Sequence, residues 1–194
     1  MSIIELPDRK DQLREVAQSL FKEKGYAGSS MRDIAQIMGI EAPSIYNHVN
    51  SKHDLLKRIC YEVADKFLLI INNIKKNGSS HPAITLQTII LEHVKIVTEN
   101  HDASAVFTNE WRFLEEPDLE NFIKLRNKYE RFIEKTIKDG VDQGIFKTNN
   151  TKLVTLSLLT TLNGIYHWYN PNGRLKAEEI SHNIMNLFFL GLKR

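Results

Sequence analysis

The stretch M-G-I-E-A-P-S-I-Y-N-H-V-N-S-K, residues 38–52, decides how the rest of the chain is read. Pro43 stands where a helix is about to begin, and Ser44, Tyr46, Asn47 and His48 follow in quick succession. No acid occurs between Glu41 and Asp54, although the chain holds 24 Asp and Glu residues. A proline is tolerated in the first helical turn, where its missing N–H has no intrahelical partner anyway. The spacing predicts a very short helix from about Ala42 to His48, with Ile45 and Val49 packing inward.

Upstream, Leu13, Val16, Ala17, Leu20 and Phe21 form the stripe of an amphipathic helix that should end at Gly25 in a left-handed C-cap. Ser30 with Asp33 reads as a capping box opening a second helix, whose inner face is Met31, Ile34, Ala35 and Met38. Gly39 ends it. Ser51 with Asp54 reads as a further capping box, followed by a long helix with Leu55, Leu56, Ile59, Val63, Phe67 and Ile70 inside.

Three short helices with a Gly-centred turn between the middle pair spell a helix-turn-helix, in which the second helix of the pair enters the major groove. The missing carboxylates then have a reason: they would face phosphates. Ser44, Tyr46, His48 and Lys52 can donate hydrogen bonds to phosphates, leaving Ala42, Pro43, Ser44 and Asn47 to read bases. Gly-turned short helices also occur in all-α proteins that never touch DNA, so spacing alone supports both readings. Charge does not separate them. Residues 1–56 carry seven basic and eight acidic side chains, a net of −1, so any basic footprint is local.

The remaining pattern is helical, with expected helices at 83–100, 103–114, 118–143, 151–169 and 176–192 after a linker at 77–82. The fold class is all-α. The single Cys60 excludes an internal disulfide and suits a reducing compartment. Met1 to Leu6 does not resemble a signal peptide, and no apolar run approaches the ~20 residues that span a bilayer. A cytoplasmic protein without membrane association is expected.

The run F-K-E-K-G-Y-A-G-S-S-M-R-D-I-A-Q-I-M-G-I-E-A-P-S-I-Y-N-H-V-N-S-K-H-D-L-L closely resembles the DNA-binding domain of the TetR/AcrR family of transcriptional regulators, over about residues 10–57. The resemblance implies that Ala42–His48 is the recognition helix and that Lys52 caps it against phosphate. The family often carries Gly or Ala at position 43 and Phe at position 49; this chain has Pro43 and Val49. The expected DNA-contacting set is Ser30, Arg32, Ala42, Pro43, Ser44, Tyr46, Asn47, His48 and Lys52. The expected domains are 1–52 for DNA and 53–194 for effector and dimerisation. Helices 151–169 and 176–192 carry more apolar surface than one core-facing stripe needs, which suits a homodimer on a palindromic double-stranded operator. Gly164 would permit close helix approach.

F-T-N-E-W-R-F-L at 107–114, L-R-N-K-Y-E-R-F at 125–132 and N-G-I-Y-H-W-Y-N-P-N-G-R-L at 163–175 are similar to a branch of the family that responds to acyl-CoA thioesters. The expected effector-binding set is Phe107, Trp111, Arg112, Tyr129, Tyr166 and Trp168. Phe113 and Phe122 are further apolar candidates, and Arg126, Lys128, Arg131 and Arg174 are candidates for the phosphates. Each aromatic has ordinary core packing as its competing reading, and each Arg a solvated face. A phosphate-cradling Gly-rich loop, a G-x-S-x-G elbow and a catalytic Cys are all absent from the sequence, so no enzyme or cofactor is expected. Glu92, His93, Glu110 and His167 could converge on a metal, although no two His have the i, i+4 spacing with further ligands, and a lone helical His is more often a hydrogen-bonded surface residue. The alternative to a ligand-responsive repressor is a helical binding protein with a degenerate DNA module, or a repressor answering a non-CoA compound.

Overall fold

A computed structural model describes residues 8–78 and 81–192. Met1–Leu6 and Ser79–Ser80 of the expected linker lie outside the described residues. Within them the chain is helical, with no strand: α1 Arg9–Lys24, α2 Met31–Met38, α3 Ala42–Ile45, α4 Lys52–Lys76, α5 Pro82–Glu99, α6 His101–Asn109, α7 Asp118–Asp142, α8 Thr151–Asn163 and α9 Ala177–Leu192. None of these helices is long and apolar enough to cross a membrane.

The first unit grows from local rules. Leu13, Ala17, Leu20 and Phe21 are buried along α1, and each Leu or Phe contributes about 1.5–3 kcal/mol by leaving water. Ser30 and Asp33 close a reciprocal capping box on α2, and Gly39 ends that helix in the left-handed region at φ 65°. Pro43 sits in the first turn of α3, and Ile45 and Val49 pack inward as their spacing requires. Three local expectations are corrected. The helix at 42 is a single α-turn to Ile45, continued by turns through His48. Gly25 has φ 74° but ψ 158°, so the chain leaves α1 extended rather than through a left-handed cap. At α4, Ser51 Oγ accepts from Asp54 N, but the Asp54 carboxylate pairs with Arg58 at 3.2 Å instead of closing the box.

The second unit is centred on α5, whose Leu86, Ile89, Ile90, His93, Val94 and Val97 are all buried. It is surrounded by α4, α6, α7, α8 and α9. The 25-residue α4 belongs to both units, packing on α1 at one side and on α5, α6 and α7 at the other. Two expected helices are shorter than their apolar pattern suggests. The helix expected at 103–114 ends at Asn109, followed by a 3-10 turn at Trp111–Phe113; the one expected at 151–169 ends at Asn163, followed by a 3-10 turn at Gly164–His167. Gly164 opens that turn, and a Cβ there would meet open space within this chain. Gly140 lets the loop after α7 fold back onto that helix: a Cβ would lie 2.1 Å from the Phe146 ring. Leu153 and Leu156 of α8, and Leu187 and Leu190 of α9, remain exposed.

Candidate functional site

The turn α2–α3 presents an outward polar face. Arg32, Pro43, Ser44, Tyr46 and Asn47 are exposed, with Tyr46 at 55%. Among the described residues, the side chains of Arg32, Ser44, Tyr46 and Asn47 make no hydrogen bond or ion pair, leaving their donors free. Ala42 is half-buried. His48 is half-buried too, lining a narrow cleft with Asp8, Asp11, Arg14 and Arg58. Ser30 is exposed, but its hydroxyl is engaged by Asp33, whose carboxyl those bonds hold below its ordinary range.

Lys52 departs from its expected role as a phosphate cap. Its ammonium turns inward, donating to the backbone carbonyls of Tyr26 at 2.8 Å and Ser29 at 2.7 Å, and lies 4.2 Å from the Tyr26 ring centroid. These charge-assisted bonds to the turn carbonyls, of which Tyr26 O also accepts from Ser29 N–H at 3.3 Å, fix the α1–α2 turn against α4.

That turn is also the junction with the second unit. Tyr26 N–H donates to Glu110 Oε2 at 2.9 Å, and the Tyr26 ring packs 5.3 Å from Phe113. Beside it, Lys22 pairs with Asp102 at 2.7 Å, and Glu115 N–H donates to His53 Nε2 at 3.0 Å. Lys57 pairs with Asp118 at 2.9 Å, which raises the ammonium above its ordinary range.

Behind the Trp111–Phe113 turn lies a cavity of about 260 Å³, walled by α4 through α8. Phe67, Phe107, Trp111, Tyr129 and Leu159 supply its apolar surface, and His93, Arg126, Asn127, Glu130 and Asn163 its polar groups. Phe67 stands 4.3 Å from the His93 ring and 5.2 Å from Tyr129. His93 Nδ1 and the Tyr129 hydroxyl are hydrogen-bonded at 3.2 Å. Burial raises the Tyr129 phenol, and burial pushes His93 down to about 3, with a smaller opposing pull from Asn163. Arg112 and Arg126 both stack on Trp111, at 4.6 and 4.5 Å from its ring. Neither forms an ion pair among the described residues. Burial, then the like charge of Arg112, lowers the Arg126 guanidinium from its ordinary range. The Glu130 carboxylate on the same lining pulls Arg126 the other way, toward its charged form.

Of the aromatic residues expected here, Phe107, Trp111 and Tyr129 meet in the wall, and Arg112 lies on Trp111. Tyr166 is buried elsewhere, its hydroxyl donating to Asn109 Oδ1 at 2.8 Å. Trp168 is 53% exposed, and neither of the two lines the cavity. Phe122 is core, and Phe113 belongs to the junction. Lys128, Arg131 and Arg174 are surface residues. The convergence weighed for a metal is not formed: Glu110 holds Tyr26, His167 pairs with Tyr166, and His93 pairs with Tyr129. Among the described residues no three ligating side chains cluster. His93 and Asn163 escaped the sequence reading as cavity residues. The available signal was a histidine on the apolar stripe Leu86, Ile89, Ile90, Val94, Val97.

A helix-turn-helix with an outward polar face, joined through a shared helix to a bundle enclosing a cavity, defines a ligand-responsive DNA-binding regulator. The chain belongs to the tetR family of bacterial regulatory proteins: that family's model matches residues 13–59, and the Tetracyclin repressor-like C-terminal domain matches residues 79–192. Its sequence is 25% identical over 186 residues to the HTH-type transcriptional repressor KstR2 of Mycolicibacterium smegmatis (strain ATCC 700084 / mc(2)155), covering 95% of this chain and 90% of that one. The structure of the ketosteroid transcriptional regulator KstR2 of Mycobacterium tuberculosis has the same fold, with a TM-score of 0.90 at 21% identity over 98% of this chain and 97% of that one. So does AibR, solved in complex with isovaleryl coenzyme A and operator DNA, with a TM-score of 0.81 at 23% identity over 94% and 98% of the two chains.

Proposed function

We propose that the chain is a homodimeric repressor that docks two recognition helices on a palindromic operator and is released by a compact acyl-CoA. Residues 1–52 read DNA, and 53–194 bind the effector and the second copy. The observation that carries this is a shared segment. Trp111 walls the cavity, while Glu110 and Phe113 on either side of it hold Tyr26, at the turn that leads into α2. A ligand that moves Trp111 therefore works directly on the support of the DNA-reading face, and it shifts the population toward whichever geometry binds it better.

The division of labour follows from exposure. Arg32, Tyr46 and His48 meet phosphates, and Ala42, Pro43, Ser44 and Asn47 face bases, while Ser30 and Lys52 hold the module's shape. In the cavity, Phe107, Trp111 and Tyr129 take the acyl group, and Arg112 with Arg126 takes negative charge at its edge. Tyr166 braces α6 through Asn109, and Trp168 lies outside the binding surface. A cavity of about 260 Å³ is below the usual range of about 300–1,000 Å³ for small-molecule sites, which favours a short or single-ring acyl group with the nucleotide outside. AibR's isovaleryl-CoA supports the same class. The exposed leucines of α8 and α9 supply the dimer face, and two-fold docking spaces half-sites by about one DNA turn, ~34–36 Å. The protein acts in the cytoplasm, where its operator lies.

The test is a titration of the protein into labelled DNA from upstream of its own gene, at several salt concentrations, with a series of acyl-CoAs. Salt-sensitive binding abolished by a short or cyclic thioester is the expected result. Binding that ignores every thioester would leave the repressor and remove the acyl-CoA effector.

A further inference from the structure

Two buried side-chain polar atoms lack a partner among the described residues, His93 Nε2 and Ser104 Oγ. Only His93 lines the cavity. Its ring is 1% exposed, and it is held from two sides: by Phe67 at 4.3 Å and by the Tyr129 hydroxyl on Nδ1 at 3.2 Å. An unsatisfied polar atom in such a place is costly, and native interiors keep very few.

Proton placement follows from economy. If Nδ1 carried the hydrogen, the Tyr129 O–H would have no acceptor and Nε2 would be a bare lone pair, leaving two groups unsatisfied. If the Tyr129 hydroxyl donates to Nδ1, one group is left, an Nε2–H. Asn163 lines the same cavity, and its side chain favours the protonated ring against the larger opposing effect of burial. The cavity therefore has one oriented, fully buried donor, with Asn163 on the same lining, beside the aromatic and aliphatic groups and apart from the charged side chains Arg126 and Glu130.

We propose that the effector carries a neutral oxygen, a ketone or a hydroxyl, on its apolar part, and that His93 Nε2–H together with the Asn163 amide reads it. The assignment rests on the reading of this cavity as the effector site. The charged end of the same molecule goes to Arg112 and Arg126. Burial keeps the imidazole uncharged at neutral pH, so His93 would offer a carboxylate no compensating charge. A saturated hydrocarbon would fill the space but leave the N–H dry and unpaired. Sites built to hydrogen-bond a ligand oxygen reject the analogue that lacks it more strongly than apolar pockets reject a change of one methylene.

The experiment is calorimetric titration with a matched pair of probes, cyclohexanecarbonyl-CoA and 4-oxocyclohexanecarbonyl-CoA, on the wild-type protein, His93→Phe and Asn163→Leu. The oxo compound should bind the wild type more tightly by roughly tenfold or more. His93→Phe should abolish or invert that preference, and Asn163→Leu should reduce it. Equal affinities in the wild type, or a preference retained by His93→Phe, would overturn the assignment; the polar spot would then be one that a buried water satisfies. If His93→Phe does not fold, the wild-type and Asn163→Leu comparison decides alone. If neither thioester binds, the acyl-CoA reading fails separately, and cyclohexanone against methylcyclohexane settles the matter. A preference for cyclohexanone keeps His93 as the reader. No preference, or no binding of cyclohexanone, removes it.

Discussion

The two working surfaces of this protein are built on opposite plans. Around α2 and α3 the interior is fully satisfied: Ser30 and Asp33 cap each other, Gly39 turns the chain, and Lys52 occupies the carbonyls of Tyr26 and Ser29. What is left unpaired there points outward, as Arg32, Ser44, Tyr46 and Asn47. In the cavity the unpaired group is buried, as His93 Nε2. A surface that must fit a stiff, solvated polymer gains from a rigid backing and free donors in water. A site for a small molecule gains from groups that water cannot reach, because a hydrogen bond made there replaces an unmet need.

The contrast can be broken most forcefully through the core the two regions share. Phe122 is fully buried and packs near Tyr61, Phe107 and Trp111. Phe122→Ala should cost about 3–5 kcal/mol, measured by urea unfolding. Helical signal and Trp fluorescence should be lost in one transition, since α4 runs through both units; two separated transitions would show the regions to be independent. Next is Lys52→Met, expected to destabilise the turn by roughly 1.5–3 kcal/mol, the range for hydrogen bonds to a charged group. DNA affinity should fall while the slope of log affinity against log salt stays the same. Arg32→Ala, in contrast, should lower that slope by about 1. A reduced slope for Lys52→Met would return the lysine to the phosphates.

The cavity has its own signature in pH. His93 is neutral in the fold with a pKa of about 3, against an ordinary value near 6.5 when unfolded. Below pH 6.5 the unfolded chain binds the extra proton and the folded one does not, so stability falls as pH falls from about 6.5 toward 3. The loss between pH 7 and pH 5 should be about 2 kcal/mol, and His93→Phe should flatten it. Thermal melts across that range check the difference. The smallest effect is confined to the other region. Ser30→Ala removes the capping box, costs about 1 kcal/mol and weakens DNA binding, with effector affinity unchanged. A matching loss of effector affinity would mean that the two regions are coupled even at rest.

The same contrast explains what the chain reveals before it is folded. The capping box at Ser30, the turn at Gly39 and the inward pair Ile45 and Val49 depend on neighbours within a few positions, so the sequence displays them. Lys52 finds partners 26 and 23 residues away, and nothing near it in the chain announces that. Helical periodicity shows that Phe107 and Tyr129 face inward, yet it does not tell a filled interior from a hollow one. By that criterion Phe122, which is core, looks no different from Phe107, which lines a cavity. The ends of α6 and α8 were hidden for a related reason: 3-10 turns continue the apolar pattern at Trp111 and Ile165 while tightening the backbone. His93 was visible as a polar residue on an apolar stripe, but its meaning lies in Tyr129, 36 residues on.

The continuity of α4 sets a scale for the whole device. Phe67 touches the cavity, and Lys52 holds the turn before α2, on one unbroken helix. Fifteen residues at a rise of 1.5 Å put about 22 Å between them. A ligand that tips this rod by about 5° at Phe67 would swing its far end by about 2 Å, with no change in the helix itself. In a dimer two such rods swing together, so the gap between the paired recognition helices changes by up to about 4 Å. That is more than one base-pair step of 3.4 Å, enough to put one half-site out of phase while the other stays docked.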